Sequence, residues 1–162
     1  MPTFVHVTSE DLAKKARRGG LRADKKGLEL DGVFAMPVTP DYQVTHQWVR
    51  EMKQWRPGRI VGIYFRIPDD ELIHVGNYRG PHEAMSAAQA AAHVMAQTTM
   101  SGVEVIIPRR IEAKEILRIR NLPQLVGWRH YPEAHGKRPW ACSCCQKGVY
   151  NSRKIREKYA SP

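Results

Sequence analysis

The sequence predicts an α+β fold with two small, mostly antiparallel β-sheets and flanking helices. Three observations carry that prediction. Short runs rich in β-branched and aromatic residues, bounded by glycine or proline, recur at residues 4–7, 32–36, 59–67 and 102–107, as strands do. Two longer segments, 42–55 and 81–97, carry helical spacing or alanine-rich composition instead. No regular strand–helix–strand alternation connects them, so a parallel doubly wound sheet is not expected.

Taken in order, Phe4-Val5-His6-Val7 is the first strand. Thr8-Ser9-Glu10-Asp11 offers hydroxyl caps and first-turn acids for a helix. Leu12, Ala13 and Ala16 form its apolar side, Lys14, Lys15, Arg17 and Arg18 crowd its end, and Gly19-Gly20 stop it. The strand over 32–36 closes at Pro37 and Pro40. Val44, Trp48, Met52 and Trp55 fall on one helical stripe, read as core. Residues 59–67 are the strongest strand signal, expected to be central, with Asp69-Asp70 turning into 71–75 as a hairpin partner. The alanine-rich helix is placed from Pro81 to about Gln97, a short helix over 111–119, and a last strand over 125–128.

The chain has 162 residues, enough for one domain with a proper core. We divide it into a folded unit over 1–128 and a basic, cysteine-containing appendage over 129–162, where eight Lys and Arg stand against two Glu. Overall, 26 Lys and Arg against 16 Asp and Glu give a formal charge of +10, which favours an anionic partner such as nucleic acid. No apolar run reaches membrane-span length and no signal-peptide layout opens the chain, so a cytoplasmic location is the expectation. Cys142, Cys144 and Cys145 lie in one cluster, which in a reducing compartment favours thiols or a metal over a disulfide. Cys142 and Cys145 make a C-x2-C knuckle with His130 and His135 upstream, a candidate zinc set.

The anomaly of the sequence is Glu104, a carboxylate inside the apolar run Gly102-Val103-Glu104-Val105-Ile106-Ile107-Pro108. Strand alternation puts Glu104 on one face with Ile106, while Val103, Val105 and Ile107 point the other way. A carboxylate so placed is paired, solvated at a sheet edge, or held for chemistry.

Three pieces then line up: the strand of His6 followed by a helix and Gly20-Leu21, the strand Gly32-Val33-Phe34-Ala35, and a later strand opening at Glu104. In order and spacing, over roughly residues 3 to 120, this resembles the ADP-ribosyltransferase superfamily, which transfers ADP-ribose from NAD to a protein or nucleic acid. The end of the stretch is similar to the DNA-modifying toxins of that superfamily. The resemblance implies that superfamily's split, mostly antiparallel sheets, NAD as substrate, a DNA or RNA acceptor and a toxin or defence role. It implies Glu104 and His6 as catalytic residues, and His6, Thr8, Gly20, Arg22, Phe34 and Tyr42 or His46 as NAD contacts. Within it, His6 matches the histidine that bonds a ribose hydroxyl. Phe34 stands where the family more often has tyrosine, keeping the π face and losing the hydroxyl. Tyr42 and His46 both remain open as the second wall of the nicotinamide pocket, and Arg22 has the alternative of a solvated turn residue. RNA 2'-phosphotransferases are a more distant resemblance, kept in view by Arg66, Arg109 and Arg110. From another class stands a non-catalytic nucleic-acid-binding domain whose module is the basic tail, with Trp128, Trp140 and Tyr150 to stack on bases.

Overall fold

The computed structural model describes residues 1–24, 30–39, 45, 47–49, 52, 56, 58–78, 80–97 and 102–122. Along them run β1 (Thr3–Ser9), α1 (Glu10–Gly19), β2 (Val33–Pro37), β3 (Ile60–Arg66), β4 (Leu72–Asn77), β5 (His82–Ser86), α2 (Ala87–Ala96), β6 (Val103–Ile107), a 3-10 turn (Ala113–Glu115) and β7 (Ile116–Asn121). The α+β class holds, with the sheet dominant.

The strands join into one seven-stranded sheet, in the order β5-β4-β6-β2-β1-β3-β7, and every described pairing is antiparallel. Two separate small sheets were expected; β2 is what connects them. Its first half pairs with β6 (Val33↔Ile107, Phe34↔Ile106, Ala35↔Val105), and its last two residues pair with β1 (Phe4↔Pro37, Val5↔Met36). Pro37 has no N–H to donate, so it suits the last position of a strand.

One face of the β2–β6–β4 part is closed by α2, whose Ala87, Ala90, Ala91 and Val94 are buried. Small residues there let the helix approach the sheet closely. Phe4, Ile60, Ile63 and Phe65 are fully buried, with Phe4 and Phe65 stacked at 6.1 Å between ring centroids. Burying each such side chain contributes about 1.5–3 kcal/mol.

Several sequence expectations are corrected. The segment 71–75 is a strand, but not the hairpin partner of β3. Seven register pairs with β1 and five with β7 occupy both edges of β3, so β4 crosses to pair with β5 and β6. The turn at Asp69-Asp70 docks on α2 instead: the Asp69 and Glu71 carbonyls accept the Ala88 and Ala87 N–H groups. The alanine-rich helix begins only at Ala87, because residues 82–86 extend as β5 and Ser86 supplies a capping box with Gln89. Residues 111–119 are a 3-10 turn and then β7, drawn into the sheet by the open edge of β3. Neither Thr8 nor Ser9 caps α1 with its side chain. Thr8 is buried in the β1 ladder opposite Val61, and Ser9 is the N-cap without a side-chain bond. Leu12 is 41% exposed, leaving Ala13 and Ala16 as the buried side of that helix. On the helical stripe read over 42–55, Trp48 and Met52 pack against the core as expected. Val44, Trp55 and the strand over 125–128 lie outside the described residues.

Candidate active site

Glu104 stands on β6, an interior strand between β4 and β2, and is 6% exposed. The edge-strand alternative for it therefore fails. The start of β6 is fixed from two sides. Gly102, at φ +77, donates its N–H to Gln47 Oε1 at 2.7 Å, and Trp48 Nε1–H donates to the Val103 carbonyl at 3.0 Å. A left-handed turn residue followed by a pinned carbonyl leaves little freedom in where Glu104 emerges.

Its partner is a residue that the sequence reading missed. His82 Nε2–H on β5 donates to Glu104 Oε1 at 3.2 Å, across the whole width of β4. Gly76 makes that reach possible. It sits between them in register, opposite both His82 and Glu104, and a Cβ there would come within 2.9 Å of the His82 ring and 2.4 Å of the Pro81 carbonyl. A glycine inside a strand is the usual sign of such a close approach, and was the signal available in the sequence. Side-chain exposures of 14% for His82 and 8% for Glu104 make this a largely dehydrated pair. Burial pushes the Glu104 carboxyl above its ordinary value, and the attraction and hydrogen bond of His82 pull the other way.

The same face carries more. Phe34 and His74 both lie opposite Ile106, so alternation groups Phe34, His74, Ile106, Glu104 and His82 on one side of the sheet. Phe34, His74 and His82 are half-buried, so this face is partly open. The opposite side, with Val33, Ala35, Val103, Val105, Ile107, Ile73 and Val75, is closed core.

His6 alternates onto the side of the sheet opposite Glu104 and is linked to this arrangement only through the backbone of β2. Counted from the β3 ladder it alternates with Val5 and Val7, on the side of Phe4 and Thr8, yet its ring turns into the gap between β1 and β2. There Nδ1–H donates to the Phe34 carbonyl at 2.7 Å. His6 and Phe34 are thus brought together through the backbone, and Phe34 and Glu104 through a shared face. Gly20, at φ +74, ends α1, and a Cβ would overlap the Ile111 carbonyl at 2.1 Å. Next to it Leu21 exchanges both backbone hydrogen bonds with Ile111, and Arg22 follows, exposed.

Among the other arginines, Arg109 is spent on structure, with bonds of 2.7–2.8 Å to Glu71 and Glu115. Arg110 pairs with Glu112 at 2.9 Å. Tyr42, His46 and the zinc candidates His130, His135, Cys142 and Cys145 lie outside the described residues, as do Trp128, Trp140 and Tyr150. Among the described residues no cluster of three or more His, Cys, Asp or Glu could hold a metal, and no helix is long and apolar enough to cross a membrane. A shallow hollow of about 450 Å³, lined by Lys14, Lys15, Arg18 and Gly19, lies on α1 and includes none of His6, Phe34 or Glu104. No family model, curated protein or solved structure matches the chain.

Proposed function

We propose that this chain is an NAD-dependent ADP-ribosyltransferase whose acceptor is a nucleic acid, with Glu104 at the reaction centre. The observation that carries the reading is the position of that carboxylate: dehydrated, on an interior strand, and sharing a partly open face with the aromatic ring of Phe34. The narrow β1–β2 ladder, with His6 in the gap beyond it, is the arrangement expected if the two parts of the sheet flank an NAD cleft like that of the resembling superfamily.

In this reading Phe34 offers its π face to nicotinamide, and His6 is the histidine that the resemblance assigns to a ribose hydroxyl of NAD. As the bond from ribose C1' to the nicotinamide nitrogen breaks, its electron pair leaves with nicotinamide and positive charge develops on the ribose. Glu104, aimed by His82 through Oε1, accepts from a ribose hydroxyl through Oε2 and stabilises that charge. Water is poorly placed to compete for a carboxylate only 8% exposed. The acceptor attacks C1' from the far side and releases a proton. That proton passes to solvent water, while His82 keeps its Nε2–H on Glu104 and aims the carboxylate.

The phosphotransferase alternative is weakened because Arg109 and Arg110 are held by carboxylates. A non-catalytic binding domain draws support from the charge of +10. Incubation with labelled NAD and DNA, RNA and protein acceptors separates the readings. Nicotinamide release that falls about a hundredfold or more in Glu104→Gln, as for loss of a charge-stabilising group, supports transfer; no release with any acceptor removes it.

A further inference from the structure

The register of the sheet contains a relationship that reaches beyond Glu104. Arg118 lies opposite Tyr64, Tyr64 opposite Val5, and Val5 opposite Met36. Counting the β2–β6 register one residue further sets Met36 level with Glu104, which is opposite Gly76, itself opposite His82. One row thus runs across all seven strands, and alternation puts Arg66, Arg118, Arg120 and Tyr64 on the same side of the sheet as Glu104, with Val5 and Met36 buried between the two ends.

The β1–β3–β7 end of that face has an unusual charge. None of the residues in these three strands is acidic, while Arg66, Arg118 and Arg120 are all exposed. Arg66 donates to the Thr3 hydroxyl at 3.2 Å, and neither Arg118 nor Arg120 has a carboxylate partner among the described residues. Tyr64 is held flat. Gly62, the next same-face residue of β3, has no Cβ, and one placed there would lie 3.1 Å from the Tyr64 ring and 2.9 Å from Val5. Arg118 lies over that ring, its guanidinium carbon 4.9 Å from the centroid.

Cations on an edge strand also serve to prevent edge-to-edge pairing, and solvation alone would account for one of them. It does not account for three arginines on one face around a half-buried aromatic ring lying over a glycine. We infer that this end of the sheet binds single-stranded nucleic acid, with Arg66, Arg118 and Arg120 on its phosphates and the Arg118–Tyr64 stack against an unpaired base. The inference rests on the proposed function only in identifying that strand as the acceptor. Single strands are favoured over duplex because the guanidinium plane and the tyrosine ring are stacking groups for exposed bases, which a duplex does not present. Arginine also meets phosphate with a planar, two-toothed donor set.

The test uses the full chain and short labelled single-stranded DNA and RNA of mixed sequence, with a duplex of the same sequence as control. Affinity is measured against salt, beside nicotinamide release from NAD in water. Arg118→Ala/Arg120→Ala is expected to weaken single-strand binding about tenfold or more and to lower the log–log salt slope by roughly 1.4, two phosphates at about 0.7 each. Tyr64→Leu is expected to weaken single-strand binding about tenfold, with the duplex little changed. Unchanged affinity and slope in both variants overturn the inference and assign any binding to the tail or α1; so does a parent that binds no oligonucleotide at low salt. Binding lost in the variants of a parent that never cleaves NAD upholds this surface while the transferase reading fails. Cleavage retained with binding unaltered gives the reverse.

Discussion

His6 Nδ1 lies 2.7 Å from the carbonyl oxygen of Phe34, and this side-chain bond takes over where the two-pair ladder of β1 and β2 stops. It therefore both ties the halves of the sheet together and sets the imidazole tautomer. His6→Ala should cost about 0.5–1.5 kcal/mol, the worth of one net hydrogen bond, and speed hydrogen exchange in β2 before the interior of β3. His6→Asn, which keeps a donor of similar reach, should recover much of the stability but not the imidazole ring. If both variants release nicotinamide like the parent, His6 is structural only.

Glu104 links activity to stability in opposite directions. Its carboxyl is held above the ordinary value near 4.5, chiefly by burial. A raised folded value means the fold favours the protonated form, so this contribution is present below the unfolded value and is lost as pH rises through the folded one. Ionising the carboxyl inside the fold is therefore a net burden. Glu104→Gln should melt at or above the parent's temperature at pH 7, with the gap closing below about pH 4.5, while nicotinamide release collapses. A variant clearly less stable at pH 7 would mean that the His82 bond outweighs the cost of burial.

Gly76 and His82 form a second pair that can be separated by substitution. Gly76→Ala forces a Cβ against the His82 ring and the Pro81 carbonyl, so the ring must leave Glu104. Its activity should match that of His82→Ala, about tenfold to a hundredfold below the parent, mainly in kcat, and His82→Ala should tolerate Gly76→Ala with little further loss. Additive losses would show that the glycine acts elsewhere than through His82.

What the sequence made legible was mostly local. The β-branched runs at β1, β2, β3 and β6 announced themselves, as did the isolation of Glu104, because period and composition are set by burial on the strand's own faces. Pairing partners were not legible: β4 looked like the neighbour of β3 because they adjoin in the chain, and only the prior claims of β1 and β7 on both edges exclude it. His82 was hidden for the same reason, since its value depends on a glycine in the next strand and a glutamate in the one after. The residues 111–119 misled because Glu112, Ala113, Lys114 and Glu115 are good helix formers, overridden by an available sheet edge.

The spacing of His130, His135, Cys142 and Cys145 gives a metal expectation of its own. If these four hold zinc, protein prepared without chelator should carry about one equivalent, and chelation should loosen the C-terminal part first, because the sheet has a core of its own. Metal content near zero removes zinc from the account.

Arg109 governs how the chain responds to acid. Its guanidinium donates to both oxygens of Glu71 and both of Glu115, joining the β4 entrance to the turn before β7. Those hydrogen bonds hold the Glu115 carboxyl below its ordinary value and raise Arg109 further, outside any accessible titration. For a depressed carboxyl the stabilisation is present above the unfolded value and is lost as pH falls through the folded one. Stability should therefore decline below about pH 4.5, and the decline should begin with exposure of β7, the edge strand that follows the clamp. Arg109→Ala leaves two half-buried carboxylates facing each other and should cost about 1–3 kcal/mol at pH 7, between an exposed pair and a fully buried one. Much of that loss should return on acidification, since protonating Glu71 and Glu115 removes their repulsion. A variant as stable as the parent at pH 7, followed by chemical denaturation across pH, would show that the clamp contributes nothing net and that β7 is held by its ladder with β3 alone.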